Sequence, residues 1–411
     1  MLRSIVFWAS MLLLKLYVFR SLFTLSNSKR YRWFVIGLFI FSLSSIGLGA
    51  YSLFTVFFNG VIHPPFWANF MLSANVMFII CELVLAPIFL FDDLLFGFYY
   101  LYRRFAKDKA KVTRKDRRRF VKKVGATIML LPFIQFLHGI TRGKYAYSIE
   151  NKVLSFENLP ESFDGFKILH FSDFHAGSFD FFEPVKQGLA TIKELDYDLL
   201  VFTGDLVNNH AEEFTPFIDA FSDLSAPFGK FSVLGNHDYP MRKRMFRDQE
   251  HQDKNLKNIK ELHGQTGFSL LLNEHKVIEK EGQRLVIAGV ENWGKSHYFP
   301  KAGDLDKALD QTRSDDFIVL LSHDPTHWEE KVRYHKKVVD LTLSGHTHGL
   351  QMGVKLPGFQ WSPIQYSYKH WAGAYRENDR SLYVNRGFGF FGFAGRVGMY
   401  PEITILELKK A

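Results

Sequence analysis

Asp, Asn and His recur in short clusters through the second half of the chain: Ser172-Asp173-Phe174-His175, Thr203-Gly204-Asp205, Gly235-Asn236-His237-Asp238, Ser322-His323-Asp324 and Gly345-His346-Thr347-His348. Their side chains are oxygen or imidazole groups, the types that hold divalent cations and move protons. An isolated Gly-Asp is usually a turn, and a lone His-x-His is usually a solvated one. Five such clusters in succession make a stronger pattern. As ligands, Asp173, His175, Asp205, Asn236, His323, His346 and His348 are too many for one ion. They are also too mixed for a structural zinc site, which takes four donors, commonly Cys and His. They suit two ions sharing one carboxylate, and imidazole plus carboxylate favours Mn²⁺, Fe or Zn²⁺ over Ca²⁺ or Mg²⁺. His346 and His348 can then reach one ion each.

Each cluster follows a short apolar run: Phe166 to Phe171, Leu199 to Phe202, Phe231 to Leu234, Phe317 to Leu321 and Leu341 to Leu343. These read as buried strands, and segments such as 181–195 and 303–313 have helical spacing. Strand and helix in turn predict an α/β domain with largely parallel sheet. In such sheets ligands gather beyond the carboxyl ends of the strands, so the five clusters should converge.

The first 140 residues have a different character. Phe34 to Phe58 carries no charge, and Phe66 to Phe91 carries only Glu82. Both exceed the roughly 20 residues that cross a bilayer core. Ile5 to Leu25, with Lys15 and Arg20, reads as a further span. Val124 to Ile140, with Pro132, is a shorter run that can just cross. This predicts a membrane region over 1–141 with about four transmembrane helices, and Glu82 facing another helix. The chain's net charge of +9 is local: residues 103–124 hold twelve Lys or Arg against two Asp, so the rest sums to about −1. A nucleic-acid partner is therefore not expected. The basic loops 25–33 and 103–124 should lie in the cytoplasm and the uncharged 59–65 outside, which makes everything after a crossing at 124–140 extracytoplasmic. The only cysteine, Cys81, excludes an intrachain disulfide or thiolate cluster.

In order and content, the Asp-x-His, Gly-Asp, Gly-Asn-His-Asp, lone His and Gly-His-x-His clusters resemble those of the calcineurin-like metallophosphoesterase superfamily. The similarity covers about 150 to 411, and is nearer to the bacterial membrane-associated branch. Members of that branch often carry a twin-arginine-type signal, to which DRRRFVK at 116–122 is close, and 383–406 resembles their ending. The multi-span N-terminus departs from the simple exported members. The resemblance implies a calcineurin-like β-sandwich with flanking helices over 145–411, preceded by an α-helical transmembrane region. It also implies roles. Asp173, His175 and His348 would bind a first metal, and Asn236, His323 and His346 a second, with Asp205 bridging. His237 would face the substrate, and Asp238 would hold the other nitrogen of its ring.

The function expected is that of a membrane-anchored, dinuclear phosphoesterase of the bacterial inner membrane. It would cleave a phosphomono- or phosphodiester, possibly a lipid-linked one, by attack of hydroxide held between the metals. The alternatives are a cytoplasm-facing pyrophosphohydrolase of a lipid-modified nucleotide sugar, such as UDP-diacylglucosamine, and a membrane sensor or scaffold that only binds a phosphorylated ligand. Arg386 and Arg396 are candidate contacts for a substrate phosphate. His170, His210, His251, His263, His275, His297, His327, His335 and His370 match no motif and read as packing or surface residues. The aromatics of 353–375 (Phe359, Trp361, Tyr366, Tyr368, Trp371, Tyr375), with Phe388, Phe390, Phe391 and Phe393, are expected to face the bilayer.

Overall fold

The computed structural model describes residues 2–59, 63–105, 115–240 and 245–411, so the middles of the loops expected at 59–65 and 103–124 lie outside it. Internal contacts divide the chain into two compact units, Met1–Leu53 with Trp67–Ile140, and Phe54–Phe66 with Thr141–Ala411.

The apolar N-terminal runs form α1 (Leu2–Phe23), α2 (Lys29–Asn59), α3 (Phe66–Phe105) and α4 (Lys115–Thr141). Among the described residues, Lys29–Tyr51, Phe66–Phe105 and Arg119–Thr141 are long and apolar enough to cross a membrane. α3 runs on past Asp92 and Asp93 through LLFGFYYLY at 94–102. Its 40 residues span about 60 Å, twice the thickness of a hydrocarbon core. Inside this unit Glu82 does face another helix. Lys15 of α1 donates to its Oε1 at 2.5 Å and also bonds Ser42 of α2, so one buried ion pair ties three helices together.

The second unit is a sandwich of two six-stranded sheets. Its strands are β1 (Ser148–Phe156), β2 (Lys167–Phe171), β3 (Leu199–Phe202), β4 (Lys230–Ser232), β5 (Ser269–Leu270), β6 (Glu274–Lys280), β7 (Gln283–Gly289), β8 (Phe317–Leu321), β9 (Leu341–Ser344), β10 (Val354–Leu356), β11 (Phe359–Trp361), β12 (Gly373–Glu377), β13 (Arg380–Val384) and β14 (Glu402–Lys410). One sheet runs β1-β14-β2-β3-β4-β5 and the other β12-β13-β9-β8-β7-β6, while β10 and β11 form a separate hairpin. The expected parallel strands are present: β2, β3, β4 and β5 in one sheet, and β7, β8 and β9 in the other. They are divided between two mixed sheets, since β14 enters antiparallel to β2 and β6 antiparallel to β7.

Alternation explains the layering. Ile168, Leu199, Val201 and Val233 of the first sheet meet Leu285, Ile287, Val319, Leu341 and Leu343 of the second in the central core. The residues between them, such as Leu169, Phe171, Leu200 and Phe202, turn outward onto α5 (Phe182–Lys193), α6 (Ile218–Ser222) and α7 (Gln249–Gln265). On the far side Val286, Ile318 and Leu320 pack under α8 (Leu305–Ala308) and α9 (Pro325–Glu330). This four-layer arrangement is the fold class the clusters implied. It brings the carboxyl ends of β2, β3, β4, β8 and β9 to one rim.

Candidate metal centre

The rim is built by backbone that few residues adopt. Asp173, His175, Asp205, His346 and His348 all have left-handed φ, between 50° and 71°. Non-glycine residues seldom take this region, and such strain persists only where the surrounding structure enforces it. The tips enforce it by bonding one another: Asp173 N donates to Gly204 O, His175 N to Asp205 O and Gly345 N to His323 O, at 2.9–3.0 Å. Two glycines allow the close approach. A Cβ on Gly235 would lie 2.2 Å from Asp205 Oδ1, and one on Gly345 2.2 Å from Asp173 Oδ2.

All seven expected ligands converge, and they are buried or nearly so. Asp173, His175 and His348 form one triad, and Asp205, His323 and His346 another. His348 Nε2 lies 3.3 Å from Asp173 Oδ1 and 3.1 Å from His175 Nε2. In the second group His323 Nε2 lies 3.2 Å from Asn236 Oδ1 and 3.3 Å from His346 Nδ1. Asp205 Oδ2 is 3.5 Å from His175 Nε2 and 3.2 Å from His323 Nε2, so one carboxylate reaches both groups.

The donor set fits two cations. Ring nitrogens face ring nitrogens at contact distance, which a shared positive ion relieves. His323 Nδ1 donates to Thr203 O at 2.7 Å, which leaves Nε2 as the ligating nitrogen. Burial opposes charge on the His323 ring, yet the Asp205 and Asp173 carboxylates hold its pKa up to about 10. Burial pushes His175 well below its ordinary value and keeps it a neutral donor. Burial works against ionising Asp205, but the His323, His237 and His175 rings hold it well below the usual carboxylate range. The pocket is thus arranged to attract positive charge.

His237 sits at this rim and is only partly buried. Its ring lies 5.0 Å from that of His175 and 4.2 Å from that of Phe391, which also stacks on His175 at 5.0 Å. The pairing expected between His237 and Asp238 is corrected. His237 Nδ1 donates to Asn208 O at 3.0 Å, and Asp238 turns away into the protein. There its carboxylate accepts from the backbone amides of Gly235, Asp205, Leu206 and Val207 at 2.8–3.3 Å. Asp238 therefore clamps the loop that carries Asp205. Burial and the nearby Asp205 charge push its pKa up to about 7.

Arg386 and Arg396 are also corrected, because both are buried and face protein groups rather than the rim. Arg386 pairs with Glu402 and with Glu150, the latter at 2.9 Å. Arg396 donates to the carbonyls of Arg386, Gly387 and Gly389, and its Nη2 lies 3.1 Å from His348 Nδ1. It braces a ligand from behind. Of the expected bilayer-facing aromatics, Phe388, Phe390 and Trp371 are buried instead. Packing decides this: Phe388 stacks on Phe174 at 5.5 Å within the core under the first sheet. His170, His263 and His327 are core residues bonded at 2.8 Å to Thr203, Ser232 and Ser322.

Two roles were not read from the sequence, including that of Tyr368, which was expected to face the bilayer. Tyr368 Oη lies 2.8 Å from His346 Nε2. Glu213, buried, accepts from the amides of Asn208, Asn209 and His210 and so holds the carbonyl that orients His237. Neither has a local signal. Tyr368 lies among other aromatics, and Glu213 lies in an ordinary-looking turn.

Comparison with known proteins agrees with this geometry. Residues 2–144 match the family model described as "Probable Calcineurin-like phosphoesterase, transmembrane domain", and 166–350 match "Calcineurin-like phosphoesterase". The chain is 32% identical over 259 residues to the uncharacterized metallophosphoesterase YkuE of Bacillus subtilis, covering 61% of this chain and 82% of that protein. An uncharacterized metallophosphoesterase of Helicobacter pylori is 26% identical over 99% of this chain and 98% of its own length. The phosphodiesterase YaeI of Escherichia coli is 27% identical over 71% of this chain and 99% of its own.

Proposed function

The chain belongs to the calcineurin-like metallophosphoesterases, and from that premise we propose that it is a membrane-anchored hydrolase of a phosphoester, working on the extracytoplasmic face of a bacterial inner membrane. The observation that carries the chemistry is the convergence of seven ligands into two groups that share Asp205.

Two divalent cations, of Mn, Fe or Zn by donor type, would supply the Lewis acidity: they neutralise phosphoryl charge and lower the pKa of water. The chain's own residues do the rest. With Nδ1–H given to Asn208, His237 presents its proton chemistry through Nε2, which in the imidazolium form carries the proton that can pass to the leaving oxygen. Its position is tied to the metal carboxylate, because His237 N donates to Asp205 Oδ1 at 2.7 Å. Phe391, lying against both His175 and His237, shields that side from water.

The orientation rests on charge and on one packing feature. The basic segments flanking α1–α2 and α3–α4 favour the cytoplasm. The segment at 63–66, without Lys or Arg, packs within the catalytic unit: the His63 ring lies 5.0 Å from Phe182 and Phe66 5.4 Å from Phe181. This packing supports placing the catalytic domain on the side where 63–66 lies.

Purified full chain should hydrolyse bis(p-nitrophenyl) phosphate only with divalent metal, and chelation should abolish turnover. For orientation, Cys81→Ser combined with Lys276→Cys provides one exposed thiol, the Lys276 side chain being 56% accessible. An impermeant maleimide should label it in intact spheroplasts. Labelling only after lysis would overturn the orientation and favour the cytoplasmic nucleotide-sugar reading.

A further inference from the structure

The hairpin β10–β11 keeps an apolar face in solvent. Val354 pairs with Trp361 and Leu356 with Phe359, so these four side chains share one face of the ribbon. That face points to solvent, with Val354 43%, Leu356 59%, Phe359 55% and Trp361 37% exposed. Lys355 and Gln360, opposite each other on the second face, are the residues bonded to the protein. Lys355 bonds Glu150, and Gln360 donates to Ala372 O at 2.9 Å. A two-stranded ribbon in water normally does the reverse and buries its apolar face. Here the polar face, itself exposed, carries the bonds to the protein, and Leu350 and Tyr366, in the helical turns before and after the hairpin, are 44% and 79% exposed.

We propose that this face inserts into the surface of the lipid bilayer and forms a platform beside the metal centre. The inference rests on the reading of the chain as a membrane-anchored phosphoesterase, and it specifies a substrate class: a phosphoester that stays in the membrane. Three observations select a bilayer as the occupant. Lys355 is pinned to Glu150 in β1, nine residues after α4 ends at Thr141, so the hairpin's anchor lies within about 30 Å of a membrane-crossing helix along the chain. The hairpin sits at the β1 and β12 edge of the sandwich, the edge at which the chain arrives from that helix. Its composition, with Trp361, Tyr366 and Phe359 among aliphatics, matches the interfacial zone of a membrane.

The platform is directly coupled to the site. His348 is followed by Gly349, whose carbonyl accepts from Ser362 Oγ at the foot of the hairpin at 2.8 Å. Tyr368, six residues further, touches His346. A headgroup phosphate entering from a bilayer held by this face would meet the His346–His348 side of the centre first.

The test uses full-length protein with Cys81→Ser, reconstituted in phosphatidylcholine–phosphatidylglycerol vesicles. An NBD fluorophore is attached at Leu356→Cys or, at the opposite edge of the sandwich, at Lys276→Cys. Doxyl-labelled lipid should quench and blue-shift the label at 356 and leave that at 276 unchanged. Adding Val354→Asp and Phe359→Asp should remove the quenching while hydrolysis of the water-soluble diester stays within about twofold, which also shows that the variant folds. Equal quenching at both positions, or none at 356, overturns the proposal. So does protection of the 356 label that depends on protein concentration rather than lipid, since that indicates a second copy as occupant. Failure of the phosphoesterase reading would look different: intact lipid quenching at 356 with no metal-dependent hydrolysis.

Discussion

Two of the places where the molecule buries charge do so by opposite means. In the membrane unit, Lys15 and Glu82 come from regular helices and cancel each other, with Ser42 completing the set. In the catalytic unit, Asp173, Asp205 and five Asn or His ligands come from strand ends, five of the seven in left-handed backbone. The first set is complete as it stands, whereas the second brings carboxylates and facing lone pairs together and is completed only by cations. The difference separates a staple from a site. A staple needs charge balance and no strain. A site keeps strain and unbalanced charge because a ligand repays both.

The largest effect should come from Asp205→Asn, which weakens both metal groups at once. Turnover of the diester should fall to background and the bound metal, read by elemental analysis, should drop with it. Full activity in this variant would remove the basis for a shared centre. His237→Asn should separate chemistry from binding. Metal content should stay at the wild-type level while kcat falls about 10²- to 10⁴-fold, the usual range for a lost acid–base group. A matching loss of metal would make His237 a ligand rather than the acid.

The membrane pair should respond to single and double changes differently. Glu82→Gln leaves Lys15 buried without its counter-charge and should cost about 3–5 kcal/mol of stability, seen as a lower Tm in detergent. Lys15→Met with Glu82→Leu removes both charges and should recover most of that loss. If the double variant were as unstable as the single one, the pair would be more than a staple. At the metal centre no such apolar replacement should rescue activity.

The same contrast explains what could be read from the residues alone. The ligands were legible because each follows a short buried strand, and only the carboxyl ends of adjacent strands could bring such distant clusters together. The membrane runs were legible from length and missing charge. The division into two sheets was not, since β14 enters between β1 and β2 through pairing with residues more than 230 positions away. Arg386 and Arg396 were misread for that reason: Glu402, the partner of Arg386, is placed by β14, and the carbonyls around Arg396 by the loop that precedes it. Asp238 was misread because its four amide partners belong to loops whose conformation depends on Gly235 and Asp205. The aromatics 388 and 390 were assigned by type, and packing against Phe174 and Phe179 overruled type.

Tyr368 provides the smallest and sharpest comparison. His346 uses Nδ1 toward the centre, so its Nε2 carries the proton and donates to Tyr368 Oη at 2.8 Å. Such outer partners orient a ligating ring, and losing one typically costs 10- to 100-fold in metal affinity. Here a second acceptor is near: Asp324 Oδ2 lies 3.6 Å from the same nitrogen. Tyr368→Phe should therefore fall at the low end, about tenfold weaker binding at the His323–His346 group, with the Asp173–His348 group unchanged. Metal titration resolves the two groups as separate steps. Adding Asp324→Asn should push the loss toward 100-fold, because the substituted amide is a weaker acceptor than a carboxylate. If Tyr368→Phe alone already costs that much, Asp324 does not reach the ring, and the Tyr368 hydroxyl orients His346 by itself.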